Sequence, residues 1–130
     1  MVPPFIAYFG AFDRGNNKTS LLQSAYDQCR LYRKYLQDPT TKLWRHIELG
    51  SWQDNRLWAT GNGWAAAGMV RVLQTIRNSD VSDSFLDQQQ DLLGWIEEIV
   101  GVVAYGVGGG LRFDGDVQQG EQRQQGFSHV

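Results

Sequence analysis

Cysteine, proline, histidine and runs of basic charge are all scarce in this chain of 130 residues, and each scarcity excludes something. A single cysteine, Cys29, rules out an internal disulfide. Two histidines far apart, His46 and His129, and that one thiol do not make a metal-ligand cluster, so no metal is expected. Net charge is −2 and the pI is near 5.6, with no basic block, which argues against nucleic acid as a partner. No apolar run approaches the ~18 residues of a spanning helix, so no membrane partner is expected. The N-terminus shows no basic segment ahead of an apolar one, so no signal peptide is read there. Compartment is left open: Asn17-Lys18-Thr19 is a glycosylation sequon that matters only in a secretory pathway. No phosphate loop, dinucleotide fingerprint or serine nucleophile elbow occurs, and no cofactor is expected.

What is abundant is tryptophan in one place. Trp44, Trp52, Trp58 and Trp64, four of the five in the chain, fall within residues 43–64 together with His46. Flat indole faces beside a histidine and a Gly61-Asn62-Gly63 backbone are what a sugar cleft needs: rings stack on C–H faces while polar groups orient hydroxyls. Leu, Ile, Val and Phe supply 33 residues, enough for the core of one domain.

The periodicity is helical. Pro3 and Pro4 suit a first turn, with a short helix to about Tyr8 ended by Gly10. Leu22, Ala25, Tyr26, Cys29, Tyr32, Tyr35 and Leu36 mark one face of a helix from about Ser20 to Leu36, capped by Thr19 or Ser20 and stopped at Asp38-Pro39. Residues 42–61 lack the period and read as a long functional loop, with Leu43–Ile47 and Leu57–Ala59 pairing as an irregular hairpin around Gly50–Asn55. A third helix is expected over Gly63–Arg77, with Ala65-Ala66-Ala67-Gly68 as a narrow front. A fourth covers Asp83–Val100, capped by Ser82 or Asp83, with Phe85, Leu86, Leu92, Leu93, Trp95, Ile96 and Ile99 apolar. Residues 101–130 hold eight of the 15 glycines and two Gln-Gln pairs. They read as a Gly/Gln-rich, disordered tail after a folded domain over 1–100. The fold class is all-α.

Three blocks in order resemble a known family. Met1-Val2-Pro3-Pro4-Phe5-Ile6-Ala7, Leu43-Trp44-Arg45-His46 and Trp58-Ala59-Thr60-Gly61-Asn62-Gly63-Trp64 are similar to segments of the unsaturated uronyl hydrolases, glycoside hydrolase families 105 and 88, of fungal type. The resemblance covers roughly residues 1–100. It implies a six-hairpin α/α toroid of twelve helices, of which this chain carries about four, truncated at both ends. It also implies an oligosaccharide partner with a terminal unsaturated uronic residue, and addition of water across its double bond by an Asp acting as acid and base. In the family that Asp lies a few residues before the Met-x-x-Pro-Phe block, so the resemblance implies that no catalytic residue is present here. A partial toroid leaves apolar helix faces exposed, through which the chain is expected to self-associate.

Substrate-binding residues carried over are His46, Trp58, Thr60, Gly61, Asn62, Gly63 and Trp64. His46 reads as a donor to a sugar hydroxyl or carboxylate, or as an idle loop histidine. Trp58 and Trp64 read as stacking platforms, or as core over a helix end. Gly61-Asn62-Gly63 reads as an anion-binding approach to a helix, or as a tight turn needing positive φ. Thr60 stands where many members carry Arg and cannot supply that charge. Asp54, with Glu48 the only acid in the aromatic loop, is the candidate acid of this chain; a loop Asp is more often solvated or turn-forming. Asp27, Asp87, Asp91, Glu97 and Glu98 read as solvated faces, and Cys29 as a buried, inert thiol. The alternatives are a non-catalytic carbohydrate-binding fragment and a helical interaction module in which the tryptophans are only core.

Overall fold

A computed structural model describes residues 2–105. Four helices account for the fold: α1 (Val2–Phe12), α2 (Lys18–Leu36), α3 (Ala59–Arg77) and α4 (Leu86–Tyr105), with a 3-10 turn at Ser82–Phe85 ahead of α4. No strand occurs among the described residues; the loop between α2 and α3 carries two isolated bridges, Gln37 with Trp44 and Ile47 with Asp54. The chain is all-α, the architecture of part of a six-hairpin α/α toroid. None of the helices is long and apolar enough to cross a membrane. The Gly/Gln-rich tail lies outside the described residues from 106 onward.

α1 packs on both α2 and α3, and α3 packs on α4. Pro3 and Pro4 occupy the first turn of α1, buried, where the missing amide protons cost nothing. The expected stop at Gly10 is wrong: α1 runs on to Phe12 and Gly10 lies buried within it. A Cβ at Gly10 would sit 2.8 Å from the Leu21 Cβ. The glycine therefore serves the close approach of α1 to α2 rather than a left-handed cap.

α2 begins at Lys18, so Thr19 and Ser20 are inside it and cap nothing; Asn17 is the boundary residue and makes no side-chain cap bond. Its expected apolar stripe is buried only as far as Cys29. Tyr32 and Tyr35 are exposed, while Leu36 is partly buried against the core.

α2 meets α4 through long polar side chains. The Tyr26 hydroxyl donates to Asp91 at 2.5 Å, and Arg33 donates to both Glu98 oxygens, of which Oε2 also accepts from Gln37. Arg33 and Tyr26 both lie against the Trp95 ring. Asp91, still exposed as expected, and the half-buried Glu98 also serve as joints between helices. Their partners come from 65 residues away in sequence, beyond any local pattern.

α4 opens as a 3-10 turn with Val81 at its boundary, and neither Ser82 nor Asp83 makes a cap bond. Ser82 instead accepts from Gln89 through its backbone and hydroxyl oxygens. Leu86 and Leu93 point outward, and α4 continues five residues past Val100. The core holds Leu22, Leu43, Met69, Val72, Ile76, Phe85, Leu92 and Ile99, all essentially solvent-free. Phe5, Phe9 and Phe12 are left on the outer face of α1, with Phe5 and Phe9 stacked on one another at 6.4 Å.

The largest departure is at α3. It starts at Ala59, four residues earlier than the pattern suggests, so Gly61-Asn62-Gly63 lies inside the helix. Neither glycine there takes a positive φ. The left-handed positions in this region are Lys42 and Leu49, at φ 66° and 62°. The first hairpin arm lies where expected, but its partner is Asp54–Arg56 rather than Leu57–Ala59: Ile47 pairs with Asp54 through both backbone bonds, and the His46 amide donates to the Arg56 carbonyl. Leu57 leads straight into α3 and Ala59 opens it.

Candidate functional site

A cavity of about 280 Å³ opens where the start of α1, the end of α2, the aromatic loop and the first turns of α3 meet. Its floor is apolar, built from Pro3, Pro4, Leu36, Trp44 and Met69. Tyr32, Arg45, His46, Trp58 and Trp64 also line it. Trp58 and Trp64 are 51% and 56% exposed, unlike Trp44, which is packed into the core. The spacing of Trp58 and Trp64 falls at the N-cap and second turn of α3, so the helix fixes both backbones.

His46 is held from two sides. Its ring meets Trp58 edge-on at 5.3 Å and 61°. Its Nδ1 lies 3.0 Å from Asp54 Oδ2. Asp54 is buried and fully engaged: Oδ1 accepts from the Arg56 amide and Nε, and Oδ2 from Arg56 Nη2. These hydrogen bonds from Arg56, followed by that from His46, hold the Asp54 carboxyl far below the usual carboxylate range. A carboxyl so firmly ionised is a poor proton donor at neutral pH. Asp54 is thus bonded to His46 and Arg56 rather than solvated, and its bond from the Arg56 amide two residues on is the turn-forming use expected of a loop aspartate.

Arg45 is braced in the same manner. Nη1 donates to Glu48 at 2.8 Å and Nη2 to Asp38 at 3.1 Å. Asp38 turns the chain after α2 by accepting from the Thr40 and Thr41 amides. The Thr41 amide, with Arg45 next, lowers its carboxyl to about 2. Hydrogen bonding to Glu48 first, then Asp38, pushes the Arg45 guanidinium up from its usual value.

Of the residues carried over from the resemblance, His46, Trp58, Gly61 and Trp64 line the cavity. Thr60, Asn62 and Gly63 do not. Thr60 is exposed on the helix surface, and a Cβ on Gly63 would meet nothing within 4 Å. Asn62 is buried with its amide committed to the backbone of Trp44 and Trp58, so it shapes the cleft without facing it. Asn62 also donates its own backbone amide to Trp58, so the approach to the helix that would offer amides to an anion lies earlier, at residues 59–61.

Gly61 has a different use: a Cβ there would stand 2.8 Å from the Trp58 ring, so the glycine lets that indole lie against the helix. Trp52 is exposed on the loop tip and away from the cavity. Cys29 reaches the cavity wall yet is nearly solvent-free, and burial pushes its thiol up to about 12. Sequence reasoning missed Tyr32, Arg45 and the Asp54–Arg56 pair. The alternate spacing of Asp54 and Arg56 on one hairpin arm was the available signal. The described residues contain no group of ligands that could hold a metal.

The description Glycosyl Hydrolase Family 88 matches residues 1–97, and the chain belongs to that family. No curated protein and no solved structure matches it.

Proposed function

We propose that this chain forms one wall of the sugar cleft of a glycoside hydrolase acting on oligosaccharides with a terminal unsaturated uronic residue, and that it supplies binding groups rather than the proton donor. The observation that carries this reading is the convergence of Trp58, Trp64 and His46 on one cavity with both indoles half exposed. Tryptophans that served only as core would be buried, as Trp44 is. The sugar's C–H face lies on the indoles and His46 contacts a hydroxyl. No carboxylic acid lines the cavity among the described residues, and Asp54 is tied up by Arg56 and His46. Arg45 gives the wall a cation, shared with Glu48 and Asp38, while Thr60 contributes none. The closer kinship to family 105 and a fungal source belong to the same reading.

Titration of the chain with an unsaturated uronyl disaccharide tests it. Tryptophan fluorescence should change saturably while the ultraviolet absorbance of the substrate double bond persists. Loss of that absorbance would overturn the absence of an acid. An unchanged fluorescence with intact helical circular dichroism would overturn the cleft.

We further infer that the outer face of α1 pairs with a second copy, since Phe5, Phe9 and Phe12 form a continuous exposed aromatic patch. Sedimentation velocity should show a dimer that Phe9→Glu dissociates.

A further inference from the structure

The reading of His46 as a donor meets a geometric obstacle. In the neutral imidazole only one nitrogen carries a proton. Nδ1 sits 3.0 Å from Asp54 Oδ2, and an ionised carboxylate can only accept. The proton is therefore on Nδ1, and Nε2 is left as an acceptor, with no hydrogen bond to it from the described residues. Arg56 makes this arrangement rigid. It donates three bonds to Asp54, two to Oδ1 and one to Oδ2, so the carboxylate cannot rotate away from the histidine. Trp58 packs edge-on against the ring and fixes its plane. The other charged groups around the cavity wall are Arg45, Glu48 and Asp38, and these are bonded to one another.

We propose that Asp54, clamped by Arg56, is a positioning residue that holds His46 in the Nδ1–H tautomer, so that Nε2 accepts a hydrogen bond from a hydroxyl of the bound sugar. This assigns His46 a preference. A neutral ring presenting a bare Nε2 selects a hydroxyl donor at that point and repels a carboxylate oxygen, whose lone pairs would face its own. The uronate carboxylate is then placed elsewhere in the cleft. The sugar half of this proposal rests on the cleft reading above; the tautomer half does not.

Substituting Asp54→Asn makes the argument testable. The amide oxygen is favoured on the Oδ1 side, where two Arg56 donors converge. The NH2 then faces His46 Nδ1, which must become the acceptor, and the proton moves to Nε2. Nitrogen chemical shifts of the His46 imidazole in 15N-labelled chain, without saccharide and above the titration of the ring, read this directly. The expected result is protonated Nδ1 in the unaltered chain and protonated Nε2 in Asp54→Asn. Affinity for the unsaturated disaccharide should fall about tenfold in the variant, the loss of one hydrogen bond. A protonated Nε2 in the unaltered chain overturns the proposal, and this measurement needs no variant to fold. An unchanged tautomer in a folded Asp54→Asn also overturns it. If the tautomers behave as expected but neither the chain nor the variant binds saccharide, the positioning stands and the sugar-cleft reading fails.

Discussion

The side chain of Asn62 closes on both backbone groups of Trp44: the Trp44 amide donates to Oδ1 at 2.7 Å, and Nδ2 donates to the Trp44 carbonyl at 2.9 Å. The same Nδ2 reaches the Trp58 carbonyl at 3.0 Å. A buried amide thus acts as a short piece of ladder, joining the aromatic loop to the first turn of α3 across 18 residues. Everything in the cleft depends on that joint, since Arg45 and His46 follow Trp44 directly and Trp58 leads into the helix.

Asn62→Ala should therefore be strongly destabilising. It leaves the buried Trp44 amide and carbonyl without the Asn62 side chain, while the Trp58 carbonyl keeps the backbone amide of residue 62, a loss of about 2–4 kcal/mol. Urea unfolding followed by circular dichroism checks this. A loss below about 0.5 kcal/mol would show that water substitutes for the amide.

Trp64→Ala separates binding from folding. The ring is half exposed, so stability should change by less than about 1 kcal/mol. Saccharide affinity should drop about tenfold if the indole is a stacking platform. Isothermal titration calorimetry with thermal melts of the same samples gives both numbers.

Two glycines in helices should respond oppositely to alanine. At Gly10 the new methyl meets the Leu21 Cβ at 2.8 Å, and pushing α1 off α2 should cost about 1–3 kcal/mol. At Gly63 it meets nothing, and the gain in helix propensity should be about 0.5–1 kcal/mol. Thermal midpoints of the two variants should move in opposite directions.

Acid should loosen the loop before the helices. Asp54 and Asp38 both have carboxyls lowered from 3.8 by the bonds they accept, Asp38 to about 2. The stability they contribute is fully present above about pH 4 and is lost as pH falls from there through the folded values. Tryptophan fluorescence should report loop opening between about pH 4 and 2 while helical circular dichroism persists. Asp54→Asn should flatten that transition.

Cys29 should resist iodoacetamide at pH 8 in the folded chain, because burial keeps its thiol protonated and sterically covered. It should label fully in denaturant. Rapid labelling of the native chain would show that the cavity wall opens.

Helical identity was legible because it is a local property. The stripe Leu22–Ala25–Tyr26–Cys29 and the run Met69–Val72–Leu73–Ile76 carry their period whatever surrounds them, and both are buried as that period requires. Helix ends were less legible. Gly10 and Gly61 read as punctuation, yet each is a glycine because another group presses on it, Leu21 in one case and the Trp58 ring in the other. Composition near a helix end does not distinguish a breaker from a close approach.

The grouping of aromatics with His46 was also visible in sequence, and Trp44, His46, Trp58 and Trp64 of that group line one cavity. What the grouping did not contain was direction. Asn62, Trp58 and Trp64 are neighbours in sequence, but one turn of α3 sends Asn62 inward to Trp44 and leaves the two indoles outward. Asp54 and Arg56 lie on a hairpin whose register is set by the Ile47–Asp54 pairing, and that register alone brings the carboxylate to Nδ1 of His46.

The sequence by itself determined the all-α class, the faces of α2 and α3 that build the core, and the clustering of aromatics with His46, because side-chain period and residue type are written along the chain. Only the tertiary structure decided that Asp54 bonds to His46 and Arg56, that Asn62 turns inward to the Trp44 backbone, and that Asp91 and Glu98 join helices. Those roles depend on partners up to 65 residues distant, and the burial that makes a carboxylate or an amide commit to one partner exists only after the helices have packed.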